Sequence, residues 1–96
     1  QKLDINLLDD NGNTLLHYTA FADNVDVAKL LLDKQLNINA QNNDGNTPLH
    51  MAAKEGSVEM IRLLLQQNNI HKSTKNKGKK RPVDLAPSRK IKKMFK

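Results

Sequence analysis

Histidines are the first side chains in this sequence that could carry acid–base or metal chemistry, and there are three of them. His17 and His50 are separated by a spacing of 33, whereas His71 has no second histidine at ligand spacing. A tetrahedral zinc site would need further histidine or cysteine ligands, and the chain contains no cysteine. We therefore expect no metal site, and we interpret His17 and His50 as structural residues.

Other catalytic patterns are also lacking in the sequence. The four glycines, Gly12, Gly45, Gly56 and Gly78, form no phosphate-binding loop after a strand pattern, and no Gly-x-Ser-x-Gly occurs. The acidic residues are not paired in an apolar setting that would separate their pKa values for acid–base roles. The sequence therefore predicts no catalytic residue, no cofactor and no small-molecule substrate.

Composition indicates a small domain without a large aromatic core. Its 96 residues include only three aromatics, Tyr18, Phe21 and Phe95. No apolar run approaches the ~20 residues of a membrane span, so we expect no membrane association. The lack of cysteine fits a reducing compartment, and we expect an intracellular protein, cytoplasmic or nuclear. Because the chain begins with Gln1, we interpret it as a segment of a longer protein.

Positive charge is concentrated in the last quarter of the chain. Residues 1–70 contain five Lys/Arg and nine Asp/Glu, a balance of −4, whereas residues 71–96 contain eleven and one, a balance of +10. The basic patch consists of Lys75, Lys77, Lys79, Lys80 and Arg81. Such a patch is typical of nuclear-import signals and of sites for acidic proteins or polyanions, and also of solvated loops. No aromatic residue lies within it to stack on bases, so nucleic acid is not the expected partner.

The elements that position these residues are short helices with clear caps. Within residues 44–65, Thr47 occupies an N-cap position and Pro48 the first helical position. Gly56 is expected to end this helix, and Ser57 to cap a second one. Both helices are short and apolar, so neither can bury its surface without neighbours.

The same pattern already occurs earlier in the chain, over residues 11–43. Eleven of the 33 aligned pairs between residues 11–43 and 44–76 are identical. This period, with the element Thr-Pro-Leu-His at residues 47–50, resembles the ankyrin repeat of about 33 residues. The resemblance implies an all-α solenoid of stacked helix–loop–helix units, with hairpin-like loops along one edge. It also implies that the recurring histidine hydrogen-bonds between loops and helices.

We predict a single ankyrin-repeat domain over residues 1–96. It consists of the end of a truncated repeat (1–10), two full repeats (11–43 and 44–76) and a C-terminal capping repeat (77–96). Helices are expected near residues 15–22, 25–34, 48–54, 58–67, 82–86 and 88–95.

Several departures from the family pattern carry expectations of their own. In the cap, Gly78 keeps the regular spacing from Gly45, but Pro82 lies one position too late relative to Pro48, so we place an inserted residue within 77–81. In the first full repeat, Leu15 replaces the usual proline and Asp23 the usual glycine. We expect its apolar residues Leu16, Tyr18, Phe21 and Leu31 to be under-covered. In the cap we expect Ile91, Met94 and Phe95 to face inward, with Lys92 and Lys93 outward.

The resemblance also implies which residues bind a partner, because ankyrin repeats use hairpin tips and the exposed end of the first helix. Carried over by position, these are Asp10, Asn11, Asn13, Phe21, Ala22, Asn43, Asp44, Asn46, Lys54 and Glu55, followed in the cap by Asn76 and the basic patch. Phe21 stands out because its counterpart is Lys54, and a free aromatic side chain is a typical binding anchor. The alternative is that Phe21 packs against a preceding repeat.

The predicted function is therefore a protein–protein interaction module that binds another protein through its concave face and loop tips. An acidic partner surface is one interpretation of the basic patch. Two alternatives remain open at this stage. The chain could be a regulatory or targeting domain of a larger enzyme, channel or receptor, or it could contact a polyanion through its basic C-terminal quarter.

Overall fold

The computed structural model describes residues 6–96, and within them all regular structure is helical. The five α-helices are α1 (Leu15–Phe21), α2 (Val25–Leu32), α3 (Pro48–Glu55), α4 (Val58–Leu65) and α5 (Arg89–Lys92), and two 3₁₀ helices span Pro82–Leu85 and Lys93–Phe95. The predicted all-α class is confirmed. The first half of the predicted truncated repeat, residues 1–5, lies outside the described residues.

Threonine caps begin the first helix of each full repeat. Thr14 and Thr47 have extended backbones, and each side chain accepts the amide N–H of the third residue after it. Asn24 caps α2 in the same way, through the amide of Val27. The expectation for Ser57 is only half correct, because it holds the N-cap position of α4 but its hydroxyl makes no capping bond.

Left-handed residues end the first helices, as the sequence predicts. Gly56 has φ +71° after α3, and Asp23 has φ +55° after α1. A non-glycine side chain is strained in this region, although aspartate tolerates it better than most residues. The second helix of each full repeat is two residues shorter than predicted. Helix α2 ends at Leu32 and α4 at Leu65, and Asp33 and Gln66 are their C-caps.

The two helices predicted for the cap are shorter and tighter than expected. The first is a 3₁₀ helix, Pro82–Leu85, and the second is divided into α5 and the 3₁₀ helix Lys93–Phe95. Ser88 caps α5 by accepting the Ile91 amide at 3.2 Å. Short segments of this kind favour 3₁₀ bonding, since few i→i−4 bonds can form in them.

The helices form two rows, and the core lies between them. In the first row α1 packs on α3, which packs on the 3₁₀ helix Pro82–Leu85; in the second row α2 packs on α4, which packs on Lys93–Phe95. The largest fully buried apolar side chains are Leu16, Leu49, Met60, Ile61 and Leu64. Each layer buries its apolar face only against adjacent layers, which is the organisation of a solenoid.

Three loop tips, residues 9–13, 42–46 and 76–80, share one turn. In each tip the amide of the first residue donates to the carbonyl of the fifth, at 2.9–3.1 Å. The fourth residue of each tip has a positive φ, and these residues are Gly12, Gly45 and Lys79. A Cβ on Gly45 would lie 2.7 Å from the Lys77 amide nitrogen, so close packing of adjacent tips requires glycine there.

The predicted position of the inserted residue is wrong. The residue equivalent to Gly45 is Lys79 and not Gly78, so the tip 76–80 is intact. The helix ends Leu32 and Leu65 still keep the regular spacing of the repeat. Farther on, the backbone N–H of Asn37 donates to the Asn6 side chain, and the backbone N–H of His71 donates to the Asn39 side chain. Asn6 and Asn39 are one repeat period apart, whereas Asn37 and His71 are separated by one residue more. The extra residue therefore lies between Leu65 and His71, where the chain leaves α4.

We expect the variant Lys79→Gly to stabilise the protein by about 0.5–1 kcal/mol. A left-handed lysine costs about 1–2 kcal/mol, and the greater freedom of glycine in the unfolded chain offsets part of that gain. Urea unfolding measures the change, with Lys77→Gly in the same tip as the matched control. Equal destabilisation by both variants would contradict the assigned role of residue 79.

Coverage at the start of the stack differs from our expectation. Leu16 and Leu31 are buried, at 0% and 6% exposure, so the prediction that they are under-covered is wrong. Tyr18 and Phe21 are exposed, as predicted. The sequence analysis missed other large apolar side chains that are exposed, which are Leu7, Leu8, Leu15, Leu30 and Val58. Leu16 and Leu31 belong to the core between the layers, whereas Leu15 and Leu30 lie on other faces of their helices.

Candidate functional site

The two recurring histidines are buried and fully hydrogen-bonded. The His17 Nδ1 accepts the Thr14 backbone N–H at 3.1 Å and lies 2.9 Å from the Thr14 hydroxyl. The His17 Nε2 lies 2.7 Å from the carbonyl oxygen of Asn46, in the next loop tip. Because a carbonyl can only accept, Nε2 carries the proton and the ring is neutral. The predicted scaffold role of His17 is confirmed.

His50 repeats this geometry one layer later. Its Nδ1 accepts the Thr47 N–H at 3.0 Å, and its Nε2 donates to the Lys80 carbonyl at 2.8 Å. Each ring therefore closes the cap of its own helix and ties that helix to the next loop tip. In the cap layer Asp84 substitutes for the histidine, because its Oδ2 accepts the Arg81 N–H at 2.8 Å.

We expect protein stability to fall as the pH is lowered from 7.5 to 5. Burial lowers the pKa of both His17 and His50 below the ordinary value of 6.5. The unfolded chain then binds protons that the folded chain does not, so the stabilisation is complete above about pH 6.5 and is lost toward the folded pKa values. Urea unfolding at several pH values measures the loss.

The variant His71→Gln is the control for this pH dependence, because His71 lies on an exposed loop. It should keep the whole effect. The pKa of Asp84 is lowered to about 2, chiefly by its hydrogen bonds with Arg81, so Asp84 contributes only at much lower pH. Constant stability between pH 7.5 and 5 would contradict the neutral, buried state of the two rings.

Some of the predicted partner-binding residues join the loop tips to one another. The Asn43 amide donates to the Asn11 carbonyl at 2.9 Å, and its side chain donates to the Asp10 carbonyl at 3.0 Å. The side-chain oxygens of Asn13 and Asn46 accept from the side-chain amides of the next tip, at 2.9 and 2.8 Å. Their side-chain oxygens are therefore already used, and both residues are half-buried.

An open apolar pocket of about 180 Å³ lies beside the first tip. It is lined by Asn13, His17, Tyr18, Phe21 and Met51. Phe21 is 54% exposed and Tyr18 is 50% exposed. The Tyr18 hydroxyl donates to the Asp9 carboxylate, which fixes the ring at the pocket edge and lowers the pKa of Asp9.

Tyr18 and Met51 were not among the predicted site residues. They occupy equivalent positions in the two full repeats, and Tyr18 lies one helical turn before Phe21. That i, i+3 spacing was the signal that could have added Tyr18, since residues three apart share a helix face. Met51 enters the pocket only because α3 stacks on α1.

Other predicted residues at helix ends and loop tips are exposed. Lys54 and Glu55, at the end of α3, and Ala22, the C-cap of α1, are exposed. Asp10, Asn11 and Asp44 are exposed at the tips. Their contact with a partner stays a prediction. We call Tyr18, Phe21, Met51, Lys54 and the three loop tips the tip surface.

Four lysines of the basic patch, residues 75, 77, 79 and 80, are exposed. Arg81 differs, because its guanidinium bonds both Asp84 carboxylate oxygens at 3.0 and 3.1 Å. Residues 6–96 contain two ion pairs, Arg62–Glu59 and Arg81–Asp84, and neither involves a lysine. The free charge of the basic patch is therefore carried by its lysines.

Two other kinds of site find no support in the described part of the chain. No group of three histidine, cysteine or acidic side chains there is arranged to hold a metal ion. None of the helices described is long and apolar enough to cross a bilayer.

The comparisons with known proteins agree with the stacked, histidine-tied layers. A family model of ankyrin repeats, in three copies, matches residues 1–76. Comparison with curated proteins finds no match. Ankyrin repeats are generally protein–protein interaction modules without catalytic activity of their own. The regular repeat period, the Thr-x-x-His capping boxes and the family match together show that this chain belongs to the ankyrin repeat family.

Proposed function

We propose that this protein binds an extended segment of another protein on its tip surface, with Phe21 as the principal anchor. The observation that carries the proposal is the half-exposed aromatic pair Tyr18 and Phe21 at the edge of an apolar pocket. Aromatic side chains supply much of the energy of protein interfaces when a partner covers them. The layers beneath hold these rings on a rigid support.

Preorganisation of the tip surface supports the same function. The Asp9–Tyr18 hydrogen bond, the His17 ring and the side-chain bonds between tips fix the pocket before any partner arrives. A surface that is already ordered loses little conformational entropy on binding. A regulatory or targeting domain of a larger protein would bind through the same surface. The choice between this alternative and an independent interaction module therefore depends on the rest of the protein and not on this site.

Selection from a display library of random 16-residue peptides tests the proposal. We expect selected peptides to lose at least tenfold in affinity for the variant Phe21→Ser and to keep it for Leu30→Ser. Leu30 is the matched control, because it is 65% exposed but lies on α2, in the other row of helices. Peptides that respond equally to both substitutions, or a selection that yields no Phe21-dependent peptide, would overturn the proposal.

A further inference from the structure

We infer that the bound segment carries two features, an apolar side chain for the Phe21 pocket and an acidic run for the third loop tip. This inference rests on the proposed function and adds the chemistry of the partner. Its basis is the change of charge along the tip surface, which begins next to the pocket and ends at the basic patch.

The apolar feature follows from the pocket. Its lining is mostly carbon, since Tyr18, Phe21 and Met51 supply most of the surface and the His17 ring is occupied by its own hydrogen bonds. A volume of about 180 Å³ is on the scale of one large side chain. A leucine or phenylalanine of the partner would cover the exposed halves of Tyr18 and Phe21.

The acidic feature follows from the three tips. Tip 9–13 contains two aspartates, tip 42–46 contains one, and tip 76–80 contains three lysines and no acid. Backbone bonds join neighbouring tips, from the Asn43 amide to the Asn11 carbonyl and from the Lys77 amide to the Asp44 carbonyl. The charge on one continuous edge therefore changes from −2 through −1 to +3.

No internal counter-charge occupies the third tip. The one acid in residues 71–96, Asp84, is bound to Arg81. Lys77, Lys79 and Lys80 are exposed and take part in neither ion pair of the described residues. Single exposed ion pairs are weak, so recognition at this tip requires several carboxylates together. Lys54, in the last turn of α3 in the second layer, is also exposed and adds positive charge.

The stacking sets the spacing of the two features. The anchor Phe21 belongs to the first layer and the lysine tip to the third, and packed helices lie about 8–10 Å apart. Two layers are therefore about 16–20 Å, which about five or six residues of an extended chain span. The aspartates of tip 9–13 repel an acidic run placed next to the anchor. The position of the bound segment along the tip surface is therefore set by charge as well as by distance.

A protein segment fits this surface better than a nucleic acid does. The third tip and the basic patch around it, residues 75–81, contain no aromatic side chain on which bases could stack. The first tip is acidic and would repel a phosphate backbone that continued toward the pocket. A peptide satisfies both ends, because its apolar and acidic residues can be placed independently.

The probe is a fluorescein-labelled ten-residue peptide in which five Gly/Ser residues separate one Phe from four Glu, made in both chain orders. We expect one order to bind, with at least tenfold loss on changing Phe to Ser, Glu to Gln, or moving Phe next to the Glu run. The protein variant K77S/K79G/K80S, which keeps a left-handed turn at residue 79, should also lose at least tenfold. The matched variant K90S/K92S/K93S removes three exposed lysines of the cap helices and should change binding less than twofold.

The outcomes separate this inference from the proposed function. Equal loss in the two lysine variants, equal binding of the peptide with adjacent Phe and Glu, or tighter binding of a 16-nucleotide single strand would overturn the inference. If the probes fail while display peptides still depend on Phe21, the function stands and the acidic partner is wrong. If no peptide depends on Phe21, the proposed function itself fails.

Discussion

Replacing His50 with alanine is expected to lower the free energy of unfolding by about 3–4 kcal/mol. The His50 side chain is fully buried, and its two ring nitrogens bond the Thr47 backbone N–H and the Lys80 carbonyl. Each buried polar group that loses its partner costs about 1–3 kcal/mol, and the space left by the ring adds to the loss. Small domains have total stabilities of about 5–15 kcal/mol, so the effect is a large share.

Urea unfolding at pH 7.5 measures this effect, with His71→Ala as the matched control. His71 is exposed, so its replacement should change stability by less than about 0.5 kcal/mol. His50→Ala should also loosen the tip 76–80, because the Nε2 bond to Lys80 is lost. Faster hydrogen exchange of the Lys80 amide than in the parent protein reports that loosening. A loss below about 1 kcal/mol would mean that water replaces the ring.

The histidines show which part of the structure the sequence could predict. The bond between Thr47 and His50 is local, at i, i+3, so residue type and spacing were enough to expect a capped helix. The bond from His50 to Lys80 joins one layer to the next and depends on the stacking distance between layers. The sequence indicated a buried histidine, whereas the carbonyl that it binds required the structure.

The inserted residue shows where spacing alone misleads. Gly78 falls at the regular repeat spacing after Gly45, yet the left-handed position belongs to Lys79. A glycine is expected wherever a turn requires positive φ, and the sequence offered one at the wrong place. The turn is defined by hydrogen bonds within the tip and to the neighbouring tip. These bonds show that residues 76–80 form a complete tip, so the extra residue lies earlier, near the end of α4.

The candidate site divides in the same way. The exposure of Phe21 was predictable because its counterpart in the next repeat is Lys54, whereas its contact with a partner stays a prediction. Met51 was missed because the pocket forms between two layers and Met51 belongs to the second, whereas Tyr18 shares a helix face with Phe21 and could have been identified from its spacing. The exposure of Leu15 and Leu30 was missed for a related reason. Neighbouring residues on a helix point about 100° apart, so Leu16 and Leu31 are buried while the residues before them are not.

The cap should depend strongly on a single aromatic side chain near its end. We expect Phe95→Ala to lower the free energy of unfolding by about 3 kcal/mol and Ile91→Ala by about 2–3 kcal/mol. Phe95 and Ile91 are each only 8% exposed, and the 3₁₀ helix that contains Phe95 packs on α4. Losses of this size are usual for a buried phenylalanine or isoleucine, and we take the low end because both side chains keep some exposure.

Met94 refines the same prediction. We expected it to face inward with Ile91 and Phe95, but it is only half-buried, so Met94→Ala should cost about half as much as Phe95→Ala. Lys92→Ala and Lys93→Ala are the matched controls, since both side chains are exposed, and each should change stability by less than about 0.5 kcal/mol. Equal effects of Phe95→Ala and Lys93→Ala in urea unfolding would mean that the cap does not pack on α4.

Hydrogen exchange in the parent protein gives an independent test of how the two ends differ. The cap packs on α4 and keeps its charged side chains exposed. In contrast, α1 keeps Leu15, Tyr18 and Phe21 exposed and is followed by Asp23, which has a positive φ. Local opening is easier where fewer apolar contacts must be broken. The α5 amide of Ile91, bonded to the Ser88 hydroxyl, should therefore exchange more slowly than the Val27 amide, bonded to Asn24 at the start of α2. The reverse order would show that the cap opens before the first repeat and that Phe95 contributes less to the stack than its burial indicates.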